Sequence, residues 1–413
     1  MSAIVCQSCD DLLMHDSAKG KQMGVSTVNL TPTTQQEALR QQCEPLAATF
    51  AQRALDYDRA GQFPVENFAD LRRHGLLGLT IPRELGGLGE TYFGFALVVE
   101  EIARGCASTG LCFTMHCAGV ALVHHTSPAQ QQHLARTVVE DGALWTLAFT
   151  EPGTGSHFLQ PQATARKVDG GYLLNGIKTF VTSAGAADVV ILNAVVDGAP
   201  NHGVTLFLVA PKHNTGASVQ QTWDAMGMRA NDSRTIQFTD CFVPETDRLG
   251  PEGGGTTLLM SRPPYVTLGL AADSVGIAQA ALDLATSHAQ ARTIAGDQKP
   301  LSRYQSIRFQ VAEMAMAVDA ARLMMLRAAW YGDHRPDEAS LIMTAAKCFT
   351  NDAAFTVANK ALQVVGGRGY LKGHAAERLV RDARAGALMA FTAEQSKDVL
   401  GKVLLGLDPR EVD

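Results

Sequence analysis

The feature that most constrains this chain is a change of pattern between its middle and its two ends. Short runs rich in β-branched and aromatic residues, such as Val189–Leu192 and Thr205–Val209, fill the stretch from about 143 to 250. Gly-Gly, Asn-Gly and Asn-Thr-Gly turns separate these runs, as in an antiparallel sheet. On either side, apolar residues recur at helical spacing, for example in Phe93–Ala103 and Leu270–Thr286. The chain therefore reads as helices, then a sheet, then helices.

This order predicts an α+β multi-domain protein with an N-terminal helical domain, a central antiparallel β-barrel or sandwich and a C-terminal four-helix bundle. Four segments follow from the changes of pattern: a flexible terminal extension at 1–30, the helical domain at 31–142, the β domain at 143–251 and the bundle at 252–413. A helical pattern over Arg384–Leu405 is expected to supply the last helix of the bundle. Strands do not alternate with helices, so a Rossmann domain is not expected.

Composition excludes several classes of partner. Lys and Arg number 35 against 41 Asp and Glu, so we expect no nucleic-acid surface. No apolar run approaches the roughly 20 residues that span a bilayer, and no secretory signal is recognisable, so we expect no membrane association. Cys6 and Cys9 have the spacing of a metal-binding pair, but no second pair lies near them and no metal is expected. The cysteine usage predicts a reducing, cytoplasmic location.

Three segments have the composition of ligand sites, and each also fits a purely structural role. Thr150–Ser156 (TEPGTGS) places glycines where backbone N–H groups can face a ligand, or forms an ordinary Pro-Gly turn. In the hairpin Asn175–Ala184, Phe180 and Thr182 share one face of the returning strand, where they flank a planar ring or face the core. Gln363–Tyr370 ends a long helix with glycines that accept a phosphate or adenosine, or simply stop the helix.

In this order the segments resemble the acyl-CoA dehydrogenase family of flavoproteins, from about Pro45 to Leu405. The resemblance rests on these segments: Ile81–Gly87, Glu100-Glu101, Ser108–Gly110, Met115-His116, TEPGTGS, the hairpin, Met226–Arg229 and Gln363–Tyr370. It implies an FAD-dependent oxidoreductase acting on CH–CH groups. The implied substrate is an acyl thioester on CoA or a carrier protein, and the implied electron acceptor is an electron-transfer flavoprotein or oxygen.

The resemblance also implies where FAD would bind, between the β domain and the C-terminal bundle. The residues implied to hold it are Phe149, Thr150, Gly155, Ser156, Phe180, Thr182, Arg292, Gln363, Gly366, Gly367, Thr392 and Glu394. Within this set, Arg292 would reach the pyrophosphate, and Gln363 with the two glycines would hold the adenosine, from a neighbouring subunit. A site shared in this way implies a homodimer or homotetramer.

The chain departs from the family at the catalytic base. The family's Tyr-Glu-Gly-Thr run corresponds to Met389–Thr392, so Ala390 stands at the position of the glutamate and Phe391 replaces a glycine. Some relatives carry the glutamate at the start of the first bundle helix, but Pro264–Thr267 contains no carboxylate either. Removal of the proton next to a thioester needs a positioned base, so the catalytic residue is unknown from the sequence.

Three explanations for the missing base remain open from the sequence. Another residue accepts the proton, with Glu101, His116, Tyr265 and Asp273 as the candidates. Alternatively, the substrate loses a carboxylate or sulfinate group, so that no base is needed. In the third case, reduced flavin reacts with oxygen. We expect α,β-desaturation of an acyl thioester with a non-standard base, and a flavin-dependent monooxygenase or a decarboxylating or eliminating flavoenzyme is the alternative.

Overall fold

A computed structural model describes residues 28–155, 157–200, 203–220 and 223–408. The Cys6 and Cys9 pair, Ser156 and nearly all of the predicted terminal extension lie outside these residues. The described chain runs from helices through a sheet to further helices, which confirms the predicted class of fold.

The N-terminal part consists of helices around a buried central helix. They are α1 (Thr34–Ala60), α2 (Val65–Arg73), α3 (Tyr92–Gly105), α4 (Ala107–Ala121) and α5 (Pro128–Val139). Thr33 caps α1 because its hydroxyl accepts the N–H of Gln36, while the Gln36 side chain accepts the N–H of Thr33. Helix α3 is buried over almost its whole length and lies within the largest apolar core.

The central part is an eight-stranded sheet. Its strands are β1 (Trp145–Ala148), β2 (Thr164–Val168), β3 (Gly171–Val181), β4 (Val189–Val196), β5 (Val204–Val209), β6 (Ala217–Gln220), β7 (Arg234–Pro244) and β8 (Arg248–Leu249). The order is β6-β7-β3-β2-β4-β5-β8, with β1 beside β4. Strand β4 runs parallel to both β1 and β2. The sheet is therefore mixed rather than antiparallel, because the chain crosses from β3 to the far side of β2 instead of returning beside β3.

The C-terminal part contains three long helices and several short ones. They are α6 (Gly255–Met260), α7 (Tyr265–Ala291), α8 (Gln305–His334), α9 (Pro336–Val365), α10 (Ala375–Ala385) and α11 (Ala393–Leu404), with a small β9–β10 ribbon (Thr293–Ile294 and Lys299–Pro300). Among the described residues, α7 has the length and composition of a membrane span, and 72% of that window is buried within the fold.

The predicted helix over 384–405 is interrupted by a loop at 386–392. Ala390 has a φ of 56°, in the left-handed region that an α-helix excludes. Thr392 then starts α11 by accepting the N–H of Gln395 with its hydroxyl. The loop brings Met389 against the apolar core of the bundle. Met115 of α4 and Val266 of α7 pack against both this core and the N-terminal one, so the two cores adjoin there.

Candidate functional site

The TEPGTGS turn is anchored by a buried ion pair. Lys178 of β3 donates to the Glu151 carboxylate at 2.5 Å and to the amide oxygen of Asn193 at 2.7 Å. The same carboxylate accepts the backbone N–H groups of Gln162 at 2.6 Å and Ala163 at 3.1 Å. Burial lowers the pKa of Lys178 to about 8, against the raising effect of Glu151. The ammonium therefore remains the main form at pH 7, and the turn is tied to β3 and β4.

Two glycine segments leave their backbone open to a ligand. Gly153 and Gly155 have φ values of 85° and 51°, and Gly366, after α9, has a φ of 76°. A Cβ built on any of these glycines, or on Gly367, would meet nothing within 4 Å. Open backbone of this kind suits a phosphate or pyrophosphate group, whose oxygens accept N–H groups without interference from side chains. Both segments thus fit the FAD implied by the sequence.

The described residues implied to hold FAD differ in solvent exposure. The exposed members are Gly155, Phe180, Arg292, Gln363, Gly367 and Glu394, and the partly exposed members are Phe149, Thr150, Gly366 and Thr392. Thr182 is buried. Residues that meet a ligand or a second chain need accessible atoms, and most of the described set has them.

Phe180 and Thr182 lie at an irregularity of β3 rather than on a regular strand face. The register between β3 and β7 shifts between Lys178 and Val181, and Phe180 has a φ of 54°. As a result the Phe180 ring is 68% exposed, with an edge contact to Trp223. Thr182 is buried, and its carbonyl accepts the Thr146 hydroxyl at 2.6 Å. An exposed ring two residues from a buried hydroxyl is available to pack against a planar ligand.

Two buried side chains of α9 hold the 386–392 loop by hydrogen bonds to its backbone. Asn351 donates to the carbonyl of Gly386 at 2.8 Å and accepts the Ser274 hydroxyl of α7 at 2.6 Å. One helical turn earlier, the Lys347 ammonium donates to the carbonyl of Met389 at 2.8 Å. Burial lowers the pKa of Lys347 to about 8. These contacts fix the start and the middle of the loop.

Lys347 also binds the carbonyl of Phe391, so its ammonium grips the main chain on both sides of Ala390. The left-handed conformation of Ala390 costs a residue with a Cβ roughly 1 kcal/mol. Because the grip involves backbone carbonyls, it does not depend on the side chain at position 390. The loop thus keeps a defined shape although it carries no carboxylate at that position.

A row of three phenylalanine rings connects this loop to the β domain. The ring of Phe391 lies 5.4 Å from that of Phe158, and the ring of Phe158 lies 6.0 Å from that of Phe149 (centroid to centroid). All three residues are partly exposed. Phe149 directly precedes Thr150 of the glycine-containing turn, so the row brings that turn and the 386–392 loop into one site. We call these three residues the aromatic row.

Two of the four candidate bases are committed to other contacts. Glu101 accepts the Arg40 guanidinium of α1 at 3.0 Å and belongs to a network of ion pairs. His116 accepts the N–H of Trp145 on Nδ1 at 3.1 Å, and its Nε2 lies 2.8 Å from the carbonyl of Leu77. Burial lowers the pKa of His116 to about 4, so the ring is neutral at neutral pH. Because Nδ1 accepts the N–H of Trp145, the single ring proton lies on Nε2. Both residues therefore have structural roles.

Tyr265 begins α7 and is held between aromatic rings. Its ring stacks on Tyr92 at 4.2 Å and meets the edge of Phe95 at 5.1 Å. Burial raises the pKa of the Tyr265 phenol well above its usual value. A phenol in this state does not accept a proton, so Tyr265 does not serve as a base in this arrangement.

Glu101 and Asp273 each have one buried carboxylate oxygen without a hydrogen bond among the described residues, and Asp273 is the more deeply buried of the two. It is 2% exposed, and among the described residues its Oδ1 has no hydrogen-bond partner. A Cβ on Gly110 would lie 2.4 Å from that oxygen, so the glycine provides its space. Burial, with a smaller contribution from Asp382, raises the pKa of Asp273 well above its usual value. Burial therefore favours the protonated form of the Asp273 carboxyl group.

We expect Asp273→Asn to stabilise the protein, by an amount that grows with pH. The folded protein holds a proton on Asp273 that the unfolded chain releases above about pH 4, so this residue lowers stability as pH rises. Asparagine has the same shape and no charge, and the gain should reach about 1–3 kcal/mol at pH 8 and nearly vanish at pH 4. Thermal unfolding of both proteins at pH 4 and at pH 8 measures this gain in stability. Asp283→Asn, a half-exposed position on the same helix, is the control. An equal effect of Asp273→Asn at both pH values would contradict the prediction.

Three family models cover most of the chain in order. They are those of the N-terminal domain of acyl-CoA dehydrogenase at 33–141, its middle domain at 146–241 and its C-terminal domain at 253–405. Cyclohex-1-ene-1-carbonyl-CoA dehydrogenase of Geobacter metallireducens is 35% identical over 359 residues, which is 86% of this chain and 93% of the relative.

Solved structures are also similar to this protein over most of its length. Butyryl-CoA dehydrogenase of Megasphaera elsdenii superposes with a TM-score of 0.85 at 29% identity, covering 91% of this chain and 100% of that one. A chain from the structure described as the electron transferring flavoprotein of Acidaminococcus fermentans has a TM-score of 0.85 at 27% identity, covering 91% and 99%.

Proposed function

The chain belongs to the acyl-CoA dehydrogenase family, and from that premise we propose that it desaturates the Cα–Cβ bond of an acyl thioester with FAD bound between the β domain and the C-terminal helices. The resemblance read from the sequence is thereby confirmed. The aromatic row carries the proposal, because it joins the glycine-containing turn to the 386–392 loop in one site. The turn suits a dinucleotide cofactor, and the loop corresponds to the segment from which relatives act on the substrate.

When bound, FAD would supply the acceptor for the hydride that leaves Cβ of the substrate. The residues of this chain would bind and orient the cofactor and the acyl group. The open backbone at Gly153 and Gly155 would hold the pyrophosphate, and the exposed ring of Phe180 would pack on the isoalloxazine. The Thr182 hydroxyl accepts that of Ser233 at 3.4 Å, which leaves its own proton to donate to the flavin. The substrate loses one proton from Cα and becomes the α,β-unsaturated thioester. Since an alanine at 390 accepts no proton, that proton passes to another group.

We propose that the working unit is a homodimer or homotetramer. Arg292 and Gln363 are exposed at the ends of α7 and α9, as contacts to an FAD in a second subunit require. On α8, Phe309, Met316 and Leu323 follow one another at seven-residue spacing and are 58%, 65% and 48% exposed. Apolar residues repeated at this spacing form a stripe along one helix face, and its burial against a second copy would stabilise association.

We propose a reducing compartment, the cytoplasm, and an electron-transfer flavoprotein as the acceptor. The cysteines of the described residues are buried free thiols: Cys43, Cys106, Cys112, Cys117, Cys241 and Cys348. Free thiols in this number are typical of reducing compartments. The similarity to the Acidaminococcus chain supports the acceptor. CoA is the proposed carrier of the acyl group, and a carrier protein is the second candidate.

Anaerobic mixing of the yellow protein with a panel of acyl-CoA thioesters tests the proposal. We expect at least one thioester to bleach the flavin absorbance without any other reductant, because the substrate itself supplies the electrons. Bleaching that occurs only with a nicotinamide reducing system, followed by oxygen uptake, would instead support a monooxygenase. A colourless protein that does not take up added FAD would overturn the assignment as a whole.

A further inference from the structure

We infer that the aromatic row of Phe149, Phe158 and Phe391 determines specificity, and that it selects acyl thioesters whose acyl group carries a flat aromatic ring. The inference rests on the proposed function, since it takes the acyl group to bind beside Ala390. Two observations support it: the rings are held in place before any substrate binds, and they remain partly exposed.

The backbone of each ring is anchored independently. Lys347 binds the carbonyl of Phe391 from α9. Asn193 donates to the carbonyl of Phe158 at 2.6 Å, and the same Asn193 accepts the ammonium of Lys178. Phe149 directly follows β1, which pairs with β4. The row is therefore built from a loop of the C-terminal part and from the β domain, with each member fixed by buried polar contacts or by the sheet.

The distances and angles between the three rings are those at which aromatic side chains pack favourably, so a further ring can pack against them in the same way. Phe391 is tilted by 53° to Phe158, and Phe158 is within 15° of parallel to Phe149. Rings at such distances attract one another through their quadrupoles as well as through apolar area. All three residues are partly exposed. Phe149 is also implied to contact FAD, so the substrate ring is expected to pack on Phe158 and Phe391.

The test compares two thioesters that differ in the electrons of the ring and hardly in its size. They are 3-phenylpropanoyl-CoA and 3-cyclohexylpropanoyl-CoA, each of which loses a Cα proton and a Cβ hydride on desaturation. Because the benzylic hydride of the phenyl compound leaves more readily in any protein, the inference is judged by the change of the ratio between variants. With the FAD-loaded protein under anaerobic conditions, we expect the efficiency of flavin bleaching to favour the phenyl compound by about three- to tenfold. In Phe158→Leu and Phe391→Leu the ratio should fall clearly below that of the unmodified protein, because leucine retains apolar area but no aromatic ring.

Phe63→Leu is the matched control, since Phe63 pairs with Phe68 in the N-terminal part and lies outside the row. It should leave the ratio unchanged. Flavin content and thermal unfolding are recorded for every variant, so that a loss of folding is recognised. A ratio near one in the unmodified protein, or a ratio that both row variants leave unchanged, would overturn the inference.

A binding measurement separates failure of the inference from failure of the proposed function. The unsaturated products cinnamoyl-CoA and 3-cyclohexylacryloyl-CoA are titrated against the oxidised flavoprotein, and the shift of the flavin absorbance gives the affinity. Tighter binding of cinnamoyl-CoA that is lost in Phe391→Leu supports the row even if neither substrate bleaches the flavin, a case in which the proposed desaturation is wrong. Bleaching by both substrates with equal efficiency refutes the row alone.

Discussion

Ala390→Glu is expected to raise the rate at which a saturated acyl-CoA bleaches the bound flavin, by up to the roughly 10²- to 10⁴-fold that a positioned general base contributes where no other group accepts the proton. The loop should accept the carboxylate because Lys347 holds the carbonyls on both sides of residue 390 and not its side chain. The left-handed backbone at 390 adds little to the cost, since alanine already has a Cβ there. Single-turnover absorbance measurements under anaerobic conditions give the rate.

Ala390→Gln is the matched control for this experiment. Glutamine has nearly the shape of glutamate but does not accept a proton, so its rate should stay close to that of the unmodified protein. The rate of the glutamate variant should also rise with pH as the carboxyl group ionises, and that of the glutamine variant should not. If both variants gain equally, the absence of a base at 390 does not limit the reaction.

Lys178→Met should destabilise the folded protein strongly. It leaves the Glu151 carboxylate buried without its cation, and removing one partner of a buried ion pair typically costs about 3–5 kcal/mol in the free energy of unfolding. Denaturant unfolding of the FAD-loaded protein measures the loss. Because the pair anchors the glycine-containing turn, weaker retention of FAD should accompany it.

Two further variants show whether the loss comes from the unpaired charge. Lys167→Met, in the neighbouring strand β2, removes a lysine that is 64% exposed and pairs with Glu252 at 2.9 Å, and should cost less than about 1 kcal/mol. The double variant Glu151→Gln with Lys178→Met removes both charges and should recover part of the stability of Lys178→Met. A double variant no more stable than the single one would argue against an unpaired charge as the cause.

The order of helices and strands could be predicted because it depends on local patterns. The periodicity of apolar residues distinguishes the β-rich middle from the helical ends, and this part of the prediction is confirmed. The pairing of β4 with β1 and β2 depends on how the chain crosses the sheet, and no local pattern records it. The break between Ala385 and Ala393 was also missed, because contacts from another helix hold that loop.

The candidate site was predictable where backbone conformation restricts the residue type. The glycines of TEPGTGS and of the segment after α9 stand out in the sequence for this reason. Lys347 was missed, although it left a signal: it follows Met343 by one helical turn on the buried face of α9, where a lysine needs a partner. No signal in the sequence indicated Phe158, because its contacts with Phe149 and Phe391 form only in the folded protein.

The grip of α9 on the loop has an evolutionary consequence. Because the hydrogen bonds that Lys347 and Asn351 make to the loop go to main-chain oxygens, folding places little selective constraint on the side chain at position 390. A lineage can therefore exchange glutamate and alanine at this position by a single amino-acid replacement, without first rebuilding the scaffold. Reaction chemistry can diverge in such a protein faster than its architecture does.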